Sequence, residues 1–252
     1  KNEIQKFLKI VINWAVKTYG FNMNKFYGRM ESFTSASDIK KEMDFYTLEE
    51  FNQFISSAPN LQIKCMYETL YYCGLRRGEA RGLQWKDVNW SDKRLSVTKQ
   101  AVTHGSENST HYELTKPKTQ KSNRILPIAE ILFRDLKQLY EEQKQFAEFN
   151  DEWFIFGNFI PITFYQMRHK NIEIARDANI KRIRLHDFRH SCASLLINNN
   201  ANIAVVSQFL GHASIEETLD TYTHMFKDKL SDAVNTINKL TCPQPTIVDF
   251  GS

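Results

Sequence analysis

The stretch Leu185-His186-Asp187-Phe188-Arg189-His190 is followed by Leu210-Gly211-His212 and then by Tyr222, which places histidines, an arginine and a phenol in one C-terminal region. These groups suit nucleophilic attack by a tyrosine on a phosphodiester. A tyrosine hydroxyl has an unperturbed pKa of about 10 and is therefore a poor nucleophile at neutral pH. Nearby cations would stabilise the phenolate and the charge that builds on phosphorus, and arginine and histidine supply such cations.

Two more cationic positions lie upstream, in Cys73-Gly74-Leu75-Arg76-Arg77-Gly78-Glu79 and in Thr115-Lys116-Pro117-Lys118-Thr119. In order along the chain, the arginine box, the hairpin lysine, His-x-x-Arg, Leu-Gly-His and the final tyrosine resemble the catalytic domain of the tyrosine recombinases, the family of phage and conjugative-transposon integrases. The resemblance runs from about Thr47 to Tyr222 and beyond. It implies an α+β, mainly α-helical fold with a small three-stranded antiparallel sheet. It also implies a site-specific DNA recombinase that integrates and excises a mobile element or prophage.

The resemblance assigns a role to each of five residues. Tyr222 would attack a DNA phosphate and form a 3′-phosphotyrosyl link with release of a 5′-hydroxyl. Arg76 and Arg189 would each offer a planar fork of donors to non-bridging phosphate oxygens, and His212 would donate to a phosphate oxygen. His186 would assist removal of the tyrosine proton, a task that suits an imidazole with a pKa near 6.5.

Several assignments in the upstream motifs have alternatives. Arg76 follows Gly74-Leu75 as the first catalytic arginine of the family does, and Arg77 is the fallback. Glu79 lies three residues after Arg76 on the same helical face and resembles the acid that holds this arginine. The alternative for Glu79 is an ordinary exposed carboxylate.

The basic residues of the predicted hairpin compete for one role. Lys118 matches the family's hairpin lysine, which protonates the departing 5′ oxygen as general acid. Lys116 and Lys121 are alternatives, because a turn with three lysines could present any of them. Arg77, Lys116 and Lys121 are expected at least to contact DNA phosphate. His190 and His224 could be solvated neighbours and receive no primary role.

The composition limits the class of protein. The chain has 252 residues and a hydrophobic content of 42%, enough for a globular core. The formal net charge of +4 permits nucleic-acid binding without demanding it. The four cysteines lack C-x-x-C spacing, so neither a zinc site nor a disulfide framework is indicated. No apolar run approaches the roughly 18 residues of a membrane span. Composition thus predicts an intracellular protein, and the resemblance implies metal-free, cofactor-free chemistry on DNA in the cytoplasm of a bacterial host.

Apolar spacing and turn residues predict the secondary structure. An amphipathic helix is predicted from Ile4 to about Thr18, and Thr47-Leu48-Glu49-Glu50 is a capping-box pattern that opens a helix to about Ser57. Residues 94–98, 113–115 and 123–126 are predicted as three strands of one small sheet, with Lys118 at the tip of the last turn. After Pro59 a second helix is predicted through Cys65 to Tyr72, and Gly74 ends it. Another short helix is predicted at 77–83. Six more helices are predicted at 131–149, 163–178, 185–198, 203–210, 215–222 and 227–240.

The resemblance also implies a domain organisation. Residues 1–42 are expected to be the last helix of a core-binding domain and an interdomain linker, the polar stretch from Met30 to Met43. Residues 43–252 are expected to be the catalytic domain, ending in a tail that docks on the neighbouring protomer. The absence of an initiator methionine suggests a fragment of a longer protein.

The expected partners follow from the same resemblance. They are double-stranded DNA attachment sites, bound by a homotetramer that forms from monomers on the DNA, and an accessory factor that sets the direction of recombination; no membrane partner is expected. The main alternative is a DNA-binding module without catalysis, against which the full set of motif residues argues. A type IB topoisomerase fits less well, because the short core and the Leu-Gly-His motif resemble those of integrases. A helix-turn-helix repressor fits less well, because the recombinase resemblance already explains the placement of the histidine and the tyrosine around Gly211.

Overall fold

The protein is described by a computed structural model that covers residues 2–20, 44–116, 123–222 and Ile237. The chain divides into two compact units, Lys1–Met43 and Asp44–Ser252. In the first unit the structure describes one helix, α1 (Asn2–Tyr19), and the predicted amphipathic helix is thereby confirmed. The predicted linker at 30–43 lies outside the described residues, and the core-binding origin of this unit stays a prediction.

The first helix of the second unit, α2 (Leu48–Ser56), starts at the predicted capping box. The Thr47 hydroxyl accepts from the Glu50 N–H, and the Glu50 carboxylate accepts from the Thr47 N–H. Two donors that the helix itself cannot satisfy are thus satisfied, which fixes where the helix begins.

The next helix, α3 (Leu61–Tyr72), leads directly into the arginine box. Its end is set by Gly74, which has a φ of +58°. A Cβ on Gly74 would lie 2.5 Å from Leu210 Cδ2, so both the backbone conformation and the close packing require glycine here. The sharp turn brings Arg76 next to the C-terminal part of the chain.

The remaining described helices are α4 (Arg77–Gly82), α5 (Glu130–Gln143), α6 (Phe164–Asp177), α7 (Asp187–Asn198), α8 (Ile203–Leu210) and α9 (Ile215–Tyr222). The predicted end of α5 at residue 149 is wrong. After Gln143 the hydrogen bonds become single turns, from the Phe146 N–H to the Gln143 carbonyl and from the Phe149 N–H to the Phe146 carbonyl. The predicted helix at 227–240 lies outside the described residues apart from Ile237.

The predicted three-stranded antiparallel sheet is present, but its strands are β1 (Val88–Asn89), β2 (Arg94–Val97) and β5 (Arg124–Pro127), in the order β1-β2-β5. The prediction that residues 113–115 belong to this sheet is wrong. They form β4 (Tyr112–Thr115), which pairs antiparallel with β3 (Gln100–Thr103) in a separate ribbon. The physical reason is that β3 follows β2 after two residues and takes up the hydrogen-bonding edge of β4.

An aromatic core anchors α7, the helix that carries His-x-x-Arg. Phe188 is fully buried, and its ring centroid lies 5.6 Å from that of Tyr46, 5.4 Å from that of Phe54 and 5.2 Å from that of Tyr67. Burial of a side chain of this size stabilises the fold by about 1.5–3 kcal/mol. The position and rotation of α7 are therefore fixed by the residue immediately before Arg189.

A second cluster joins α7, α8 and α9. Its buried members are Cys192, Ala193, Ile197, Val206, Leu210 and Tyr222. Since Tyr222 is itself part of this cluster, the C-terminal helices pack around the predicted nucleophile. Within the parts of the chain that the structure describes, no helix combines the length and the apolar character that a membrane crossing requires.

Candidate active site

Arg76 lies at the start of α4 and is held by Glu79. The Glu79 carboxylate accepts from the Arg76 N–H at 3.0 Å and from Arg76 Nη1 at 2.9 Å. It also accepts from Arg124 Nη1 at 3.2 Å and Nη2 at 2.9 Å. Burial opposes ionisation of Glu79, but the hydrogen bonds from Arg124 and Arg76 hold the pKa of this carboxyl below its ordinary value. Glu79 is therefore a buried carboxylate and not an exposed helix residue.

Arg124 on β5 was not among the residues predicted for the site. Besides its ion pair with Glu79, its Nε donates to the Phe209 carbonyl at 2.9 Å. Gly211 has a φ of +71° and packs directly against the Arg124 side chain. A Cβ on Gly211 would lie 2.9 Å from Arg124 Nη1. A lone arginine in a predicted strand gives no sequence signal for such a role, because both contacts are remote along the chain.

Arg189 on α7 is almost completely buried. Its Nη1 donates to the Gly74 carbonyl at 2.9 Å and to the Leu210 carbonyl at 2.7 Å. Its Nη2 is also buried and has no hydrogen-bond partner among the residues that the structure describes. Burial and the neighbouring Arg76 lower the pKa of Arg189 to about 10, so that it remains a cation at neutral pH.

The end of α8 brings these arginines together. Three guanidinium groups donate to three successive carbonyl oxygens: Arg124 to Phe209, Arg189 to Leu210, and Arg76 to Gly211 at 3.2 Å. The Leu-Gly-His motif is thus where the arginine box and the His-x-x-Arg helix meet. The structure thus brings these motifs together, and the roles of their residues stay predictions.

His212 follows directly and is mostly buried. Its Nδ1 lies 2.6 Å from the Thr218 hydroxyl, and its Nε2 lies 3.9 Å from a Glu217 carboxylate oxygen. Burial and the charge of Arg189 lower the pKa of His212 to about 4. The ring is therefore neutral at neutral pH, and the contact with Thr218 fixes its orientation. Thr218 is a further residue that the sequence did not identify.

Tyr222, at the end of α9, is 2% exposed. Its hydroxyl lies 2.7 Å from His190 Nδ1. Burial raises the pKa of Tyr222, and the charge of Arg189 opposes this shift. From the sequence, His190 received no primary role and could be a solvated neighbour, whereas the structure shows its ring in direct contact with the predicted nucleophile.

His186 immediately precedes α7 and is more exposed than His190. Its ring lies edge-on to that of His190, with 4.7 Å between centroids. Partial desolvation and Arg189 lower the pKa of His186. The structure thus places His186 next to the residue that contacts Tyr222.

The predicted basic residues fall into two groups. Lys118 and Lys121 lie outside the described residues, as does His224, whereas Lys116 is exposed directly after β4. Arg77 differs from Arg76 in its surroundings, because its guanidinium lies over the Phe164 ring, 4.5 Å from the centroid.

Arg77 lines a basic groove of about 710 Å³ that adjoins the site. Its basic lining residues are Arg76, Arg77, Arg168, Arg182, Arg184 and His186. Arg168 is paired with Glu107 and Arg184 with Asp187. No carboxylate pairs with Arg77 or Arg182 within the described ranges, so the groove keeps an excess of positive charge. Over the same ranges, no group of three or more His, Cys, Asp or Glu side chains could hold a metal ion.

Comparison with known proteins identifies the class. The model of the phage integrase family matches residues 41–229, so the chain belongs to that family, as its motifs predicted. It is similar to the ICEBs1 integrase of Bacillus subtilis (strain 168), with 30% identity over 211 residues that cover 80% of this chain and 56% of the relative. It is also similar to a XerC-like tyrosine recombinase of Caldanaerobacter subterraneus, with 26% identity over 94% of this chain and 65% of the relative. The chain therefore spans less than two thirds of the length of these relatives.

Solved structures confirm the predicted fold. The Tn1549 transposon integrase, in complex with a circular intermediate DNA, aligns with a TM-score of 0.74 and 21% identity over 94% of this chain and 78% of the other. The XerA recombinase aligns with a TM-score of 0.59 and 20% identity over 86% of this chain and 70% of the other. At these identities the likeness concerns the mainly helical fold with its small antiparallel sheet.

Proposed function

We propose that this chain is the catalytic part of a site-specific DNA recombinase, which cuts and rejoins DNA through a 3′-phosphotyrosyl intermediate to integrate and excise a mobile element or prophage. The observation that carries the proposal is the convergence of Arg76, Arg189 and His212 at the end of α8, next to the helix that ends in Tyr222. The family of the chain and the DNA-bound integrases that share its fold support the same conclusion.

The arginines would bind the scissile phosphate. Arg189 has a buried donor, Nη2, without an acceptor among the described residues, and a non-bridging phosphate oxygen is an acceptor of the right charge and geometry. The Arg76 side chain is 34% exposed and fixed by Glu79, so it can reach a second oxygen without first being ordered. Donors fixed in advance in a partly buried site stabilise developing charge more strongly than donors in water.

His212 would complete the phosphate contacts. Because its Nδ1 is engaged by Thr218, its Nε2 is the nitrogen that remains for the phosphate. A neutral ring carries one hydrogen, so it can donate from Nε2 only if Nδ1 accepts a hydrogen bond from the Thr218 hydroxyl. We therefore assign the Nε2–H tautomer to His212.

The leaving 5′ oxygen needs a proton. Lys118 is the proposed general acid, with Lys116 and Lys121 as alternatives, and the exposed position of Lys116 after β4 leaves it accessible to DNA. The ammonium group of a lysine can donate a proton to a developing alkoxide, so each of the three has the chemistry of a general acid.

The basic groove would bind the DNA backbone on one side of the scissile phosphate. Arg77 and Arg182 are its cations without a carboxylate partner in the described parts of the chain, so binding of phosphate to them breaks no ion pair. We propose double-stranded attachment sites as the substrate, a monomer in solution, a homotetramer on DNA, and an accessory factor for direction. The tail beyond residue 222 would dock on the neighbouring protomer, and the reaction would take place in the bacterial cytoplasm.

A covalent-trapping assay tests the proposal. The chain and its Tyr222→Phe variant are incubated with nicked suicide duplexes that carry the element's attachment site or a randomised pool, with and without chelator, and resolved on a denaturing gel. We expect a protein–DNA adduct that resists chelator and is absent with the variant. If both proteins bind the duplexes but neither forms an adduct, the chain is instead a DNA-binding module without catalysis.

A further inference from the structure

We propose that His190, and not His186, takes the proton from the Tyr222 hydroxyl when the tyrosine attacks; this inference rests on the proposed function. The observation behind it is the 2.7 Å contact between His190 Nδ1 and the Tyr222 hydroxyl oxygen. A proton acceptor must lie within hydrogen-bond reach of the proton that it removes. Among the described residues, His190 is the histidine that meets this condition.

The packing of two helices fixes this contact. His190 lies on α7, one residue after the buried Arg189, and Tyr222 lies in the apolar cluster that joins α7 to α8 and α9. The two ring centroids are 5.8 Å apart. Among the described residues, the His186 ring contacts the His190 ring, with 4.7 Å between centroids. His186 therefore lies next to His190 and one step away from the tyrosine.

Burial, together with the groups around His190, keeps its ring neutral and ready to accept a proton. The groups that face it are His186, Asp187, Arg189 and Arg184 from its own helix and the residues before it, Tyr222 from the end of α9, and His212 from the turn between α8 and α9. Burial, followed by His186, lowers the pKa of His190 to about 4. A bound phosphate would add a negative charge and raise this pKa towards the range in which proton transfer is efficient.

The proposed step is balanced as follows. The proton moves from the Tyr222 oxygen to His190 Nδ1, which leaves an imidazolium and a phenolate. The phenolate oxygen forms a bond to phosphorus, the bond from phosphorus to the 5′ oxygen breaks, and the 5′ oxygen takes a proton from the general acid. In religation the 5′-hydroxyl returns its proton to the general acid, its oxygen forms a bond to phosphorus, the bond from phosphorus to the Tyr222 oxygen breaks, and His190 returns its proton to the phenolate.

The first test needs no DNA. If His190 accepts a hydrogen bond from Tyr222, its Nδ1 is unprotonated and its Nε2 carries the hydrogen. The ¹⁵N chemical shifts of the two ring nitrogens, measured by NMR on ¹⁵N-histidine-labelled protein, report this tautomer. His190→Asn identifies the signal. An Nδ1–H tautomer would overturn the proposal, because that nitrogen would then donate to the tyrosine and could not take its proton.

The second test measures the rate of adduct formation against pH on the nicked duplexes. His190→Asn keeps a polar atom near the position of Nδ1 but cannot take a proton. We expect its rate at pH 7 to fall on the order of 100-fold, the usual contribution of a general base, and to rise about tenfold per pH unit as hydroxide replaces the imidazole. His169→Asn, at an exposed position on α6, is the matched control and should behave like the parent.

The outcomes separate this inference from the proposed function. A loss in His190→Asn that is the same at every pH indicates a structural role and overturns the inference, as does the steep pH dependence in His186→Asn instead of His190→Asn. If the parent protein forms no adduct at all, the proposed function fails and this step fails with it, whatever the tautomer.

Discussion

Replacement of Glu79 by glutamine tests how the site is held together. The change preserves the shape of the side chain but removes the negative charge that Arg76 and Arg124 share. Glutamine keeps one oxygen as an acceptor and replaces the other with an NH₂ group, which would face the N–H donors of the two arginines. Arg124 is only 9% exposed and would retain a charge without its carboxylate, which is the costly outcome of breaking a buried ion pair.

The expected size of the effect follows from this burial. Breaking a buried pair by removing one partner costs about 3–5 kcal/mol. For a domain of this size each kcal/mol corresponds to roughly 2–4 °C in melting temperature, so Glu79→Gln should melt roughly 6–20 °C lower at pH 7. The pKa of Glu79 is depressed in the folded state, so its stabilisation is present above the pKa of the unfolded chain and is lost as the pH falls through the folded value. The difference between parent and variant should therefore shrink in acid.

Thermal unfolding followed by circular dichroism at several pH values measures this difference. Glu113→Gln is the matched control, because Glu113 has an exposed carboxylate that is paired with His104. The control should melt within about 1–2 °C of the parent, since exposed pairs contribute roughly 0–1 kcal/mol. If Glu79→Gln melts like the control, the carboxylate does not hold the two arginines and the reasoning on the site is wrong.

Three further predictions test the packing, the core and the basic groove. Gly74→Ala should lower stability by about 1–3 kcal/mol through its left-handed backbone alone, and by more because of the 2.5 Å approach of its Cβ to Leu210, as urea unfolding would measure. Burial raises the pKa of Glu68 to about 8, so its carboxyl favours folding at low pH and that contribution is lost as the pH rises through 8; Glu68→Gln should remove this loss, which unfolding at pH 5 and pH 9 would reveal. Arg182→Gln should reduce the salt slope of DNA binding by about 1, whereas Arg176→Gln, at an exposed residue paired within its own helix, should leave the slope unchanged.

The sequence predicted those parts of the site whose signals are local. The capping box of α2, the glycine that ends α3 and the three-residue spacing of Arg76 and Glu79 all act within one helical turn, so the pattern of a few residues determines them. The motifs of the family then indicated which of the basic residues along the chain belong to the site. These predictions needed no knowledge of which strands pair.

The contacts that the sequence missed join residues remote along the chain. Arg124 binds Glu79 across 45 positions, and His190 contacts Tyr222 across 32. The pairing of β3 with β4 was missed for a related reason. Neither strand is fully buried on one face, so alternation of apolar and polar residues gave little indication of their register.

The C-terminal end of α8 explains why the Leu-Gly-His motif and the two arginine motifs depend on one another. Carbonyl groups at a helix C-terminus lack intrahelical donors and carry the negative end of the helix dipole. Here three of them accept from three guanidinium groups, those of Arg124, Arg189 and Arg76. Cations that would otherwise repel one another are therefore held close together before any phosphate binds.

Gly211 allows this arrangement because a left-handed residue ends the helix and turns its own carbonyl towards Arg76, while the absent Cβ leaves room for Arg124. His212 is then the first residue after the turn and joins the cations without a further loop. A larger residue at Gly211 should consequently displace both arginines at once. In Gly211→Ala, phosphate binding and stability should fall together, whereas Arg76→Gln should weaken phosphate binding with little loss of stability. Equal stability losses in the two variants, measured by urea unfolding, would show that the turn does not organise the site.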